Sequence, residues 1–232
     1  MRPAKAPTFD RREVAAIARA FLPARWYGNR TPYYYVRTKL ASDPLYSGIV
    51  EVLRDNPAPL LDLGCGLGLL AHTLRQAGLA LPYRGVDNDA GKIARAAAAA
   101  RSAGLAHTEF ETMDLATSLP QHRGSVALLD VLQFLPPDAQ DRLLDAAIAM
   151  LTPGASLVLR SGLHDDSWRA RVTYRVDQFS RWIRWMNVGP TRYPARDALA
   201  QRFAAAGLTA EFSPLFGRTP FNNWRIVATR QS

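Results

Sequence analysis

Apolar residues fall along this chain in two alternating rhythms. Short apolar or alternating runs occur at Leu60–Leu63, Tyr83–Asp87, Thr108–Thr112, Ser125–Asp130 and Ser156–Arg160. Each has strand length and ends near Gly, Asp or Thr. Between them lie helical stripes over 67–77, 92–103, 138–151 and 194–206, several closed by a glycine such as Gly78, Gly104 or Gly207. The run Val131–Pro136 reads as a continuation of the fourth strand. This β-α alternation predicts an α/β fold with a parallel sheet and helices on both faces. Two last strands, Leu208–Ser213 and Asn223–Thr229, are joined by a Pro/Gly/Phe loop and predict an antiparallel closing hairpin.

The N-terminal stretch follows other rules. Residues 8–22 carry an apolar stripe through Val14, Ile17, Ala18 and Phe21, with Asp10 placed to cap a helix and Pro23 to stop it. Such a helix lies on the domain or on a membrane surface. Residues 26–40 are dense in aromatics and cations, and Asp43-Pro44 opens a further helix to about Leu53. The chain therefore divides into a helical extension, 1–56, and a main domain, 57–232. Residues 162–194 break the alternation with tryptophans and arginines at helical spacing. This insertion follows the fifth strand, at the sheet edge where α/β folds bind ligands, and reads either as a lid or as a core-facing helix.

Composition narrows the setting. The chain has 232 residues and one cysteine, Cys65, so it forms no internal disulfide and suits a reducing, cytoplasmic compartment. No run is apolar and long enough to span a bilayer, and no secretory signal follows the basic start. The 29 Lys and Arg outnumber the 20 Asp and Glu, a formal charge of +9. That excess favours an acidic partner: nucleic acid, an anionic membrane surface, or an acidic carrier protein.

The candidate chemistry centres on Asp62-Leu63-Gly64-Cys65-Gly66-Leu67-Gly68. Glycine admits positive φ and close approach of a ligand to the backbone, and the following helix start offers free N–H groups. Asp87 closes the second strand, 19 residues after Gly68, where an acid accepts both hydroxyls of a ribose. Asn88 follows it, and either Asn88 or Asp89 is available to cap the next helix.

The acidic-x-G-x-G-x-G pattern resembles motif I of the class I S-adenosylmethionine (SAM) dependent methyltransferases. That resemblance implies a Rossmann-like sheet, SAM as cofactor, and a glycine turn against its methionine half. It implies cofactor contacts from Asp62, Gly64, Cys65, Gly66, Gly68, Asp87 and Asn88. It places Met113 and Asp114 at adenine, Asp130 and Val131 beside the methionine group and the acceptor, and residues 26–40, with Lys39, as a cover, a stretch that also reads as an aromatic docking surface without ligand contact. Gln133 stands where many relatives carry a histidine, and an amide is no base at neutral pH.

The methyl of a sulfonium is already electrophilic, so positioning dominates and a base is needed only for a protonated acceptor. Catalytic candidates are His164, Gln133 and Tyr34, with Asp165 and the adjacent tyrosines as further bases. The four histidines lack metal-ligand spacing, so no metal is expected. The segment Tyr33–Leu40 with Asp43-Pro44-Leu45-Tyr46 also resembles methyltransferases encoded with bacterial aryl polyene (xanthomonadin-type) pigment genes. This implies a phenolic acceptor methylated at oxygen, free, on an acyl carrier protein or at the inner membrane. Two alternatives stand beside it: an RNA methyltransferase using the basic surface, and a non-catalytic SAM-binding scaffold.

Overall fold

The computed structural model describes residues 9–163, 193–215 and 222–231. The chain divides into two compact units, Met1–Thr112 and Met113–Ser232.

The first unit opens with three helices, α1 (Arg11–Arg19), α2 (Thr31–Ser42) and α3 (Leu45–Leu53). Asp10 caps α1 by accepting from the N–H groups of Arg12 and Glu13, and Glu13 returns the bond to the Asp10 N–H. Such reciprocal capping satisfies donors that a helix start otherwise leaves open. The apolar face of α1 is spent on the interior: Val14, Ile17, Ala18 and Phe21 pack with Val36 and Leu40 of α2. This decides between the two readings of that helix in favour of the one lying on the domain. Helix α2 covers most of the aromatic stretch, with Pro32 in its first turn, where a missing N–H costs nothing.

Three parallel strands follow, β1 (Leu60–Leu63), β2 (Tyr83–Asp87) and β3 (Thr108–Thr112), in the order β3-β2-β1. They alternate with α4 (Leu69–Gln76) and α5 (Ala90–Ser102). Asp89, through its bond from the Lys92 N–H, caps α5, so Asn88 stays outside the helix. Leu67, Leu69 and Ala99 join the same apolar cluster as α1 and α2. The N-terminal helices thus pack directly on the glycine turn and the helix that it opens.

The second unit carries β4 (Ser125–Leu129), α6 (Pro137–Met150), β5 (Ser156–Gly162), α7 (Arg196–Ala205), β6 (Leu208–Pro214) and β7 (Asn223–Arg230). Its strand order is β4-β5-β7-β6, with β4 and β5 parallel and β7 antiparallel to both neighbours. The seven strands thus combine a parallel set with an antiparallel closing pair. One expectation fails here. The fourth strand does not run on through Val131–Pro136. It stops at Leu129, Asp130 turns left-handed at φ 61°, and Leu132–Phe134 form a single 3-10 turn. Leu132 and Gln133 are buried by that turn rather than by strand pairing.

Candidate functional site

In the first unit the site is built on the end of β1. All four of its residues are buried, including Asp62. The chain then passes through Gly64, Gly66 and Gly68 at φ 80°, 57° and 70°. A side chain in that region costs roughly 1–2 kcal/mol, so the three glycines set the path of the turn. The N–H groups of Gly64 and Cys65 both donate to the Val86 carbonyl, at 2.7 and 2.9 Å. The turn is thereby tied to the end of β2.

The glycines differ in what surrounds them. A Cβ on Gly68 would lie 2.5 Å from the Phe110 ring, so this glycine serves packing. A Cβ on Gly66 would meet nothing within 4 Å. The backbone there faces open space, with no side chain over it. Gly85 on β2 makes room for Cys65, whose Sγ would be 2.8 Å from an added Cβ. Burial pushes the Cys65 thiol up, so it stays protonated and unreactive.

Asp87 completes the turn. Its Oδ2 accepts the Gly66 N–H and its Oδ1 the Asp89 N–H, each at 2.9 Å. Every carboxylate oxygen has further lone pairs, so this grip leaves acceptor capacity beside the turn. Asn88 is exposed next to it.

Asp62 stands in a different environment. It is 2 % exposed. Its Oδ2 accepts the Tyr83 hydroxyl at 2.6 Å, and its Oδ1 has no hydrogen-bond partner. Burial, reinforced by the nearby Asp87 charge and offset in part by the Tyr83 bond, pushes this carboxyl up to about 7. Burial and the same carboxylate push the Tyr83 phenol well up, so it remains a donor. A half-satisfied carboxyl in a core strand is costly without a further partner.

On α2, Tyr34 is exposed and stands edge-on to Tyr33 with ring centroids 5.1 Å apart. The Lys39 ammonium is paired with Asp43 at 2.8 Å.

The second unit holds the remaining candidates. Met113 is half-buried and Asp114 exposed. The Asp114 carboxylate accepts the Ala116 N–H at 2.9 Å and its carbonyl the N–H groups of Thr117 and Ser118, a local turn cap. Asp130 is held at both ends by Arg160 of β5. Its N–H donates to the Arg160 carbonyl at 2.9 Å, and its Oδ1 lies 3.1 Å from Arg160 Nε. Val131 is half-buried and Gln133 buried. His164 and Asp165 lie outside the described residues, as does most of the 162–194 insertion.

Two residues here escaped the sequence reading. Tyr83 matters because β1 and β2 pair Asp62 with Gly85, which sets Tyr83 diagonally across from the carboxylate on the same face. Arg160 matters because it fixes the left-handed Asp130. A charged residue inside an apolar strand was the available signal in both cases. Among the described residues, no group of three or more His, Cys, Asp or Glu side chains is placed to hold a metal.

Residues 60–154 match the family model described as a methyltransferase domain. No protein of curated function matches the chain in sequence. Solved structures do match in fold. An O-methyltransferase family protein from Burkholderia thailandensis is 19% identical over 89% of this chain, with a TM-score of 0.65. The match spans 61% of that protein's own length. Magnesium protoporphyrin IX methyltransferase from Synechocystis PCC 6803, solved with bound SAH, is 17% identical over 93% of each chain, with a TM-score of 0.62. The 1,6-didemethyltoxoflavin-N1-methyltransferase of Burkholderia thailandensis, bound to 1,6-didemethyltoxoflavin and S-adenosylhomocysteine, is 18% identical over 99% of this chain and 94% of its own, with a TM-score of 0.60. The fold is therefore the Rossmann-like fold of these methyltransferases, and residues 60–154 match a methyltransferase domain.

The residues present fit SAM, the methyl donor whose demethylated form is bound in two of these structures. SAM carries an ammonium, a sulfonium and a ribose. The open backbone at Gly66, the unpartnered Oδ1 of Asp62 and the spare acceptor capacity of Asp87 match a cationic and hydroxylated ligand.

Proposed function

We propose that this chain methylates a small organic acceptor at oxygen, a phenolic head group of aryl-polyene type, free or bound to an acyl carrier protein. The observation that supports cofactor use most directly is the buried, half-satisfied Asp62, followed in the turn by the uncovered backbone of Gly66. In this reading the backbone of Gly64, Cys65, Gly66 and Gly68 lines the amino-acid end of SAM, and Asp62 faces its cationic groups. Asp87 and Asn88 take the ribose, and Met113 and Asp114 the adenine. Asp130 and Val131 flank the methionine group, Tyr34 and Lys39 belong to the cover, and Gln133 and His164 stand on the acceptor side.

SAM supplies an electrophilic methyl group that needs no further activation. The chain's task is then to orient the acceptor oxygen and exclude water, which lowers a barrier by about 7–11 kcal/mol when the geometry is right. A phenol must lose its proton before or during attack. Gln133 cannot take it, and Tyr34 is exposed on α2, which leaves His164, Asp165 or the acceptor's own ionisation. A phenolic acceptor suits this arrangement because its acidity lowers the demand on a base.

The test is transfer of labelled methyl from SAM to a panel of hydroxylated aromatic acids and their carrier-bound thioesters. Label in an ether of the phenol supports the proposal. SAM binding without transfer to any phenol, but with transfer to a carboxylate, amine or RNA, would overturn the acceptor and keep the cofactor. The +9 charge favours RNA as the second reading. In that case the purified protein carries nucleic acid, visible in its 260/280 absorbance ratio.

A further inference from the structure

Exposed large apolar side chains are concentrated among the described residues. Among the described residues, six large hydrophobic side chains are exposed, and five of them, Leu22, Trp26, Tyr27, Tyr34 and Tyr35, come from one stretch of 14 residues. Trp26 is 83 % exposed, so it protrudes instead of lining a groove. Concentrated apolar exposure of this kind marks an interaction surface.

The stretch is held in one shape. The Gly28 N–H donates to the Arg25 carbonyl at 2.9 Å, and the Asn29 side chain accepts the Thr31 N–H at 2.8 Å at the start of α2. Arg30 reaches back to the Trp26 carbonyl at 3.4 Å. Trp26 and Tyr27 stand edge-to-face, 5.6 Å between centroids. On α2, Tyr34 and Tyr35 lie on the side opposite the buried Val36 and Leu40. The inner face therefore goes to the core and the aromatic face to solvent.

The charge around this face has one sign. From Val14 to Ser42 the chain has no Asp or Glu, while it has Arg19, Arg25, Arg30, Arg37 and Lys39. Of the carboxylates that bound the stretch, Glu13 is engaged in the α1 cap and Asp43 pairs with Lys39, so the excess positive charge of the stretch is carried by its four arginines. Arg25 donates to the Tyr27 hydroxyl at 3.0 Å and lies over its ring, which places a cation at the rim of the aromatic tip.

We propose that the turn Leu22–Tyr27 and the outer face of α2 form a docking surface for an anionic lipid bilayer. Trp and Tyr favour the headgroup level, where one end is apolar and the other wet. A Leu and two protruding aromatics supply insertion, and each nearby cation adds attraction to anionic lipid. A nucleic acid would instead call for a basic groove that tracks its backbone, and a protrusion offers none. The proposal rests on exposure and charge and not on the methyl-transfer reading.

The test is co-sedimentation of the full chain with vesicles of phosphatidylcholine alone and of phosphatidylcholine with phosphatidylglycerol. The wild type is expected in the pellet with the anionic vesicles only, with binding that weakens as salt is raised. The double variant Trp26→Ala/Tyr27→Ala is expected to bind those vesicles about tenfold or more weaker. Its melting temperature should stay unchanged, because both side chains are exposed and neither packs in the core. Failure of the wild type to bind anionic vesicles overturns the proposal, as does undiminished binding by the double variant. Capture of short single-stranded RNA with no vesicle binding overturns it in favour of nucleic acid.

Discussion

Replacing Asp62 by Asn is expected to make the free protein more stable at neutral pH while weakening its hold on SAM. The carboxyl is raised from 3.8 to about 7, chiefly by burial. Below the lower value both the folded and unfolded states hold the proton, and folding pays nothing. Between the two values the unfolded chain releases it and the folded one keeps it, so stability falls as pH rises. Above about pH 7 the loss is complete, on the order of 4 kcal/mol at about 1.36 kcal/mol per unit. Asn keeps an acceptor for the Tyr83 hydroxyl, although a neutral acceptor gives up about 1–2 kcal/mol of that bond. The net expectation is a gain of about 2 kcal/mol at about pH 8.

His72 hides this effect in the wild type. Its ring is buried, tilted against Phe21 at 4.9 Å, and burial lowers it from 6.5 to about 4. The folded state keeps it neutral while the unfolded state takes a proton, so its contribution is present above 6.5 and lost as pH falls toward 4. The two groups thus slope in opposite directions across nearly the same window, and the wild-type profile is flat there as far as they govern it. In Asp62→Asn only the His72 slope remains, and stability should climb by up to about 3 kcal/mol from pH 4 to pH 6.5. Urea unfolding at several pH values reads both slopes. Calorimetric titration with SAM should show affinity reduced roughly ten- to hundredfold, the worth of a charged hydrogen bond. A variant less stable than wild type at pH 8, or one with an unchanged profile, would refute the reasoning.

Gly66→Ala and Gly68→Ala should part company: the first keeps the fold, at a cost of about 1–2 kcal/mol for its φ, and loses SAM binding by calorimetry. The second drives a Cβ into the Phe110 ring and lowers the melting temperature by several degrees more. Tyr83→Phe leaves both Asp62 oxygens unpartnered and raises that carboxyl further, so the pH at which SAM affinity reaches half its plateau should move upward from that of wild type. Asp130→Gly accepts the φ of 61° that Asp130→Ala does not, so the Gly variant should be the more stable of the two by about 1 kcal/mol in urea. Both lose the Arg160 ion pair.

The limits of β1, β2 and β3 were legible because each apolar run ends where a Gly, Asp or Thr changes the local rule. The glycine turn was legible for the same reason, since three glycines two apart have few other uses. Helix α2 was not. Tyr33, Tyr34 and Tyr35 are consecutive, so they show no period, and only Val36 and Leu40 of the helix are buried. Its helicity comes from packing on α1 and the glycine turn, which no local pattern reports. The end of β4 was misread because Val131–Leu135 is as apolar as a strand. A left-handed Asp130 carries no mark in the sequence, as it does when the residue is Gly.

What the sequence hides at Asp62 and Asp130 is also what argues for a ligand at each. A strand reading Leu-Leu-Asp-Leu, buried at all four positions, would be more stable with an apolar third residue. The chain instead places there a carboxyl with one oxygen bonded to a buried tyrosine and the other bonded to nothing. At the end of β4 it accepts a backbone that costs roughly 1–2 kcal/mol and clamps it with an arginine from the next strand. Asp62 lies one residue before the carboxyl end of β1 and Asp130 just past that of β4, near the strand ends where α/β folds take their ligands. Local rules broken at strand ends, and kept along the strands themselves, are expected where a binding site has been favoured over stability.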